Sequence, residues 1–299
     1  MKVSYLNDQF FSRLETLALN LKSDLAGYFG GKHLVSTYGQ TVEFSDYREY
    51  QLGDDIRRID WNLFSRFEKY FLKLFTDERQ MQVQIFLDCS ASMGKDNEPK
   101  SAYAVATAAA MGFLAVHNMD KLSFHIMREK KALNPFGTIV GKNSFFRVIN
   151  QLENETFDLD ADIESCVLSC PDTSSNNGLT VIISDFLTDS NWKKAVDYLC
   201  YKKRQVLLVQ VLLPEEDDPS YTGHVSLMDS EAVDVTDSKN MKIKITGSLQ
   251  KAYAEALRDY KQEIKSFCSK RGVDFISVRT DMPIERVLFS ELLKVGIME

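Results

Sequence analysis

Val83-Gln-Ile-Phe-Leu-Asp88-Cys-Ser90-Ala-Ser92-Met-Gly94 decides how this chain reads. Its first half is a short apolar run that ends in an aspartate. Its second half is a loop with oxygen-bearing side chains at alternate positions 88, 90 and 92. An alanine-rich helical pattern follows, about Lys100–Asn118, and small residues let a helix lie close on a sheet. A second apolar run, Thr180-Val-Ile-Ile-Ser-Asp185, also ends in an aspartate. In open α/β sheets, ligands bind outside the carboxyl ends of the strands near a switch in strand order. Two strands that each end in an acid therefore mark a candidate site.

Working outward, further strand-like runs occur at Leu122–Met127, Val206–Leu213 and Val273–Val278. Helical patterns separate them at about Ser144–Leu152, Ile163–Cys170, Trp192–Lys203 and Leu249–Arg271, and a last one covers about Ile284–Leu293. Strands apolar on both faces and separated by helices predict a Rossmann-like α/β fold: a mostly parallel sheet with helices on both sides. The first 80 residues differ. A helix from about Asn7 to Tyr28 stops at Gly30–Gly31, and a polar, turn-rich stretch runs to about Trp61. Tyr70–Phe75 and Gln82–Leu87 then suit a hairpin turned at Thr76–Gln80. The expected division is an N-terminal extension, 1–80, and an α/β domain with a C-terminal elaboration, 81–299. Pro214–Ser238 has eight acids and no Lys or Arg; it reads as a solvated loop with a hairpin through Val225–Val235, or as an acidic docking surface.

The chain has 299 residues, 44% hydrophobic and 26% charged, which excludes disorder and a disulfide-stapled miniprotein. A net charge of −7 argues against nucleic-acid binding or an anionic membrane as partner. The five cysteines lack CxxC spacing and read as free thiols. Asp8, Arg13, Glu15, Lys22 and Asp24 interrupt the N-terminal stretch, so no signal peptide, membrane insertion or spanning run is expected, and the expected location is cytoplasmic.

Asp88, Ser90 and Ser92 can turn one carboxylate and two hydroxyls toward a common point, with Asp185 adding a second carboxylate. An oxygen-only set suits Mg²⁺ or Mn²⁺. Two negative charges would balance the ion, and neutral hydroxyls would leave it electrophilic toward an incoming carboxylate. Alternatively Ser90 and Ser92 cap the following helix and Asp88 bonds loop amides.

From about residue 81 to 213 the chain resembles a von Willebrand factor A-type domain, whose metal-ion-dependent adhesion site has this Asp-x-Ser-x-Ser loop and a later strand-end aspartate. The stretch Glu43-Phe-Ser-Asp-Tyr-Arg48-Glu-Tyr50-Gln-Leu-Gly53-Asp54-Asp55-Ile-Arg57-Arg-Ile-Asp60-Trp61 resembles the signature of the bacterial family called domain of unknown function 58. Phe75-Thr-Asp-Glu78, Ser184-Asp-Phe186, Pro214-Glu215 and Asp229-Ser-Glu231 are further matches. The resemblance implies a non-enzymatic, metal-dependent protein-interaction adaptor working with a MoxR-type AAA+ ATPase in assembly or maturation of other proteins, its partner presenting an acidic residue to the metal. It also implies a threonine ligand from a second loop. Phe157 stands at that position and Thr156 one residue earlier, so either Thr156 serves as ligand or the ligand is lost. Within the signature, Arg48, Arg57 and Arg58 among Asp46, Asp54, Asp55 and Asp60 read as a charge network with Trp61 as packing anchor, or as a partner surface.

Two other classes stay open. Ser92, Asp185 and His224 follow the order of an α/β-hydrolase triad, although Ser90 stands where the nucleophile elbow has glycine. A structural subunit with a degenerate metal site is the other. No phosphate-binding GxxxxGK followed by Ser or Thr is present, so any ATP use belongs to a partner.

Overall fold

A computed structural model describes residues 5–20, 42–51, 54–77, 81–94, 98–171, 178–219, 223–227 and 241–287. In chain order the elements are α1 (Asp8–Asn20), β1 (Val42–Glu49), a 3-10 turn (Ile56–Arg58), α2 (Trp61–Phe67), β2 (Phe71–Asp77), β3 (Gln82–Asp88), α3 (Ala91–Gly94) and α4 (Glu98–His117). There follow β4 (Lys121–Arg128), β5 (Lys131–Leu133), α5 (Lys142–Leu152), α6 (Ile163–Leu168), β6 (Gly178–Ser184), α7 (Trp192–Tyr201), β7 (Gln205–Leu212) and α8 (Pro214–Asp217). The last are β8 (Gly223–Leu227), β9 (Met241–Ile245), α9 (Gly247–Ser269), β10 (Asp274–Arg279) and α10 (Ile284–Val287).

Six strands form the main sheet in the order β10-β7-β6-β3-β4-β5. All neighbours are parallel except β4 and β5. Counted along the chain from β3, this is the doubly wound order in which the path reverses beside the first strand. Period-two alternation builds the two layers. Val83, Ile85 and Leu87, with Val181, Ile183, Leu207 and Val209, pack into one core with Leu14, Phe113 and Phe145. Phe86, Ile182 and Leu208 point the other way, into a core with Ile163, Trp192, Leu199 and Ile264. The alanines of α4 let it lie directly on the sheet: a Cβ at Gly112 would come within 2.9 Å of Leu122 and Phe124. The expected α/β architecture, mostly parallel and covered on both sides, is the one observed.

Two expectations are corrected. The hairpin between Tyr70–Phe75 and Gln82–Leu87 does not form. Instead β2 pairs antiparallel with β1, and β3 has both edges taken by β4 and β6. Every residue from Val83 to Asp88 is buried, as a central strand requires. The division at residue 80 also moves, since the compact units are Met1–Gly30 with Met81–Glu299, and Gly31–Gln80. Phe10 and Leu14 of α1 are buried in the main core. The Phe11 ring lies 5.6 Å from Phe113 and 5.0 Å from Phe146. The apolar stripe of α1 is thus spent on α4 and α5.

The unit Gly31–Gln80 pairs β1 and β2 and includes α2. Among the described residues its charges divide between local caps and ion pairs. Asp55 accepts from Arg57 N, Asp60 caps α2 through Asn62 N and Leu63 N, and Arg48 meets Asp54 at 2.9 Å. Tyr47 also donates to Asp60. Phe64 stacks on Tyr70 at 4.6 Å, while Trp61 packs edge-on against both and keeps its outer face exposed. The helix stop at Gly30–Gly31, Gly53, the 228–240 part of the acidic stretch and the chain after 287 lie outside the described residues. β8 and β9 pair as a small antiparallel ribbon. All five cysteines are free, as expected. Among the described residues, no helix is long and apolar enough to cross a membrane.

Candidate functional site

The carboxyl ends of β3 and β6 lie side by side at the reversal of strand order. Their terminal residues form one buried cluster. Asp88 is 3% exposed. Its Oδ1 accepts from Ser90 N at 2.9 Å, and its Oδ2 accepts from the Ser184 hydroxyl at 2.6 Å. The Ser184 oxygen in turn accepts from Phe186 N at 3.0 Å. Ser90 Oγ and Ser92 Oγ stand 3.1 Å apart. Burial, then repulsion from Asp185, pushes the Asp88 carboxyl up to about 6, against hydrogen bonds from Ser184 and Ser90. A carboxylate so placed is short of positive charge.

Asp185 has that charge. Lys100, on the first turn of α4, puts Nζ 2.8 Å from Asp185 Oδ2 and 2.8 Å from Glu216 Oε1. Asp185 Oδ1 accepts from Leu187 N at 2.9 Å. Burial alone would lower the lysine's pKa, but the two carboxylates outweigh it and hold it above the usual value. Glu216 Oε2 accepts from Leu213 N at 2.8 Å, which fixes α8 at the end of β7.

The second loop runs beside the first: Ser90 bridges Leu159, and Ala91 N donates to Leu159 O at 2.7 Å. Phe157 lies against Gly94 and the main core. Thr156 is exposed; Arg128 donates to its hydroxyl at 3.1 Å and its carbonyl at 2.7 Å, and bonds Glu155 at 2.9 Å.

The structure thus brings Asp88, Ser90, Ser92 and Asp185 together and sets Thr156 in the Arg128 cluster. His224 falls on β8, in register with Lys244. Asp185, the acid of a hydrolase triad, spends its oxygens on Lys100 and Leu187. Among the described residues no group of three or more His, Cys, Asp or Glu could hold a metal. A divalent ion here must rely on hydroxyls. Asp88, Ser90 and Ser92 fit that requirement: one carboxylate and two neighbouring hydroxyls on one loop. Asp185 does not fit it while it holds an ammonium group. Sequence reasoning missed Lys100, Ser184 and Glu216. Lys100 left a signal, because a cation in the first turn of a helix opposes the helix dipole and needs a local reason.

Strand order, paired strand-end aspartates and the Ser-bearing loop define a doubly wound α/β domain with a candidate site at the switch in strand order. The chain belongs to the family described as "Protein of unknown function DUF58", whose model matches residues 46–263. Uncharacterized proteins of Mycobacterium bovis and Mycobacterium tuberculosis are each 27% identical to it over 273 residues, 90% of this chain and 84% of the relative. Among solved structures it is similar to a conserved hypothetical protein, BatB, from Bacteroides thetaiotaomicron (TM-score 0.41, 13% identity, 73% of this chain and 99% of that one). It is also similar to a von Willebrand factor type A protein from Catenulispora acidiphila (TM-score 0.32, 12% identity, 46% and 34% covered).

Proposed function

We propose that this chain is a non-enzymatic, cytoplasmic protein-interaction adaptor that receives an acidic side chain of its partner at the Asp88–Ser92 loop. The observation that carries this is the loop itself: a buried, charge-starved carboxylate beside two hydroxyls, at the crevice where the strand order reverses. Mg²⁺ or Mn²⁺, when bound, would supply a hard cation able to accept a partner carboxylate. Asp88 would give the loop its charge, Ser90 and Ser92 neutral oxygens, and Ser184 and the Ser90 amide would hold the carboxylate in one orientation. On the family resemblance, the partner is a MoxR-type AAA+ ATPase or its client, and the work is assembly or maturation of other proteins.

The Lys100–Asp185 pair favours a second reading, a structural subunit whose site holds no metal. Affinity capture with wild type and Asp88→Ala separates the two. Asp88→Ala removes a carboxylate that burial and Asp185 disfavour but strands the Ser90 amide and the Ser184 hydroxyl, so its melting temperature should fall while a single cooperative transition remains. Its partners should be lost, and chelator should release them from wild type. Equal capture by the variant, or in chelator, would refute the adaptor mechanism.

A further inference from the structure

Lys100 has no function in the adaptor mechanism as stated, yet it is one of the most deeply buried charges among the described residues. The side chains of Lys100 and Asp185 are 1% and 3% exposed. The ammonium stands at the start of α4, where the helix dipole repels it. Two carboxylates from the ends of two other elements hold it there. Asp185 follows β6, and Glu216 lies in α8, anchored through Leu213 N and through its own carbonyl, which accepts from Tyr253 OH at 2.9 Å. If Lys100 moved away, the buried Asp185 carboxylate and the partly exposed Glu216 would lose their shared cation, so the lysine does not leave readily. Asp185 directly follows Ser184, whose hydroxyl donates to Asp88 Oδ2 at 2.6 Å. The ammonium therefore lies next to the place a divalent ion would take, on the carboxylate that would otherwise complete the ion's ligand set.

We propose that Lys100 is the resident cation of this centre: it holds Asp185 in place of a divalent ion, and it thereby sets how weakly the Asp88–Ser92 loop binds one. This rests on the reading that the loop takes Mg²⁺ or Mn²⁺. Any ion then binds through Asp88, Ser90 and Ser92 without Asp185, beside a fixed positive charge. The lysine also ties the ends of β6 and β7 to the helix that follows the loop, so the crevice keeps its shape without an ion.

Calorimetric titration of the full chain with Mn²⁺ tests this in wild type, Asp88→Ala, Asp185→Asn, Lys100→Met and Lys100→Met/Glu216→Gln. The last variant loses one charge of each sign, so the net charge of the centre equals that of wild type; it also covers the case in which Lys100→Met alone fails to fold. Asp185→Asn should change wild-type affinity less than threefold. Both lysine variants should bind Mn²⁺ at least tenfold tighter, and adding Asp185→Asn to them should take that gain back. A wild type that gives no heat beside a lysine variant that binds would support the proposal equally. Three results would overturn it: a tenfold loss on Asp185→Asn in wild type, lysine variants within threefold of wild type, or no Mn²⁺ binding by any variant. If Asp88→Ala abolishes binding while the lysine variants change nothing, the loop is still the ion site and only the role of Lys100 is wrong.

Discussion

Gly94→Ala measures how tightly the second loop is clamped over the Asp88–Ser92 loop. An ideal Cβ at Gly94 would lie 2.1 Å from Phe157 Cβ and 2.7 Å from its Cγ. Carbon atoms in contact prefer about 3.5–4.0 Å, so one of the two segments must give by more than about 1 Å. Neither is free to do so, because Ala91 N bonds Leu159 O at 2.7 Å and Ser90 bridges Leu159. Overpacking costs about 1–3 kcal/mol, and a backbone-pinned clash belongs at the top of that range, about 3 kcal/mol. Urea denaturation at constant m-value gives the number. A cycle with Phe157 identifies the cause. Phe157→Ala keeps the clashing Cβ and should leave the cost above about 1 kcal/mol, whereas Phe157→Gly removes it and should bring the cost below about 0.5 kcal/mol. If Gly94→Ala costs under about 0.5 kcal/mol in wild type, or costs the same in all three backgrounds, Phe157 is not what Gly94 makes room for.

Asp120→Asn should flatten part of the pH dependence of stability. Burial pushes Asp120 from 3.8 up to about 6, with only a bond from Met81 N opposing it. The folded chain holds that proton more tightly than the unfolded one. The contribution is therefore fully present below about pH 3.8 and lost as pH rises through about 6, an upper bound of about 3 kcal/mol. Denaturation curves from pH 4 to 7 should show wild type losing stability relative to Asp120→Asn across that window; parallel curves would refute the assignment. Asp60→Ala removes the cap of α2 and the partner of Tyr47, a cost of about 1–2 kcal/mol. It should speed proteolysis within residues 31–80 and leave amide exchange in β3 unchanged, while Arg57→Ala, at an exposed position, should leave both unchanged. Faster exchange in β3 or unchanged cleavage for Asp60→Ala would remove the local capping role.

The main sheet was legible because its strands are apolar on both faces and most of its helices carry one stripe, α4 alone being buried nearly all round and read from its alanines. Where periodicity failed, a tertiary partner decided. Phe71–Asp77 and Gln82–Asp88 both read as strands, but nothing local says that one joins Val42–Glu49 and the other becomes the centre of a six-stranded sheet. Val42–Glu49 itself reads as loop because a bulge between Phe44 and Asp46 breaks its alternation. The apolar stripe of α1 was visible, yet its partners Phe113 and Phe146 lie far along the chain. At the site, Asp88, Ser90, Ser92 and Asp185 were legible because strand ends announce themselves. Lys100 was not, since an ion pair to Asp185 spans 85 positions and to Glu216 spans 116.

The central place of β3 has a consequence for how the protein is made. It is the first strand of the main sheet to leave the ribosome, and each later strand adds to an edge already present: β4 and β5 on one side, β6, β7 and β10 on the other. The sheet can grow in the order of synthesis without opening to admit a latecomer. The delay on one side is long, because Asp88 and Ser184 are 96 positions apart. At roughly 5–20 residues per second, that edge of β3 waits about 5–20 s for its neighbour. During that time an apolar strand shows bare N–H and C=O groups to solvent, the condition under which nascent chains pair with one another. Synthesis at high expression should therefore be limited by capture of this half-built sheet by chaperones rather than by the stability of the finished one.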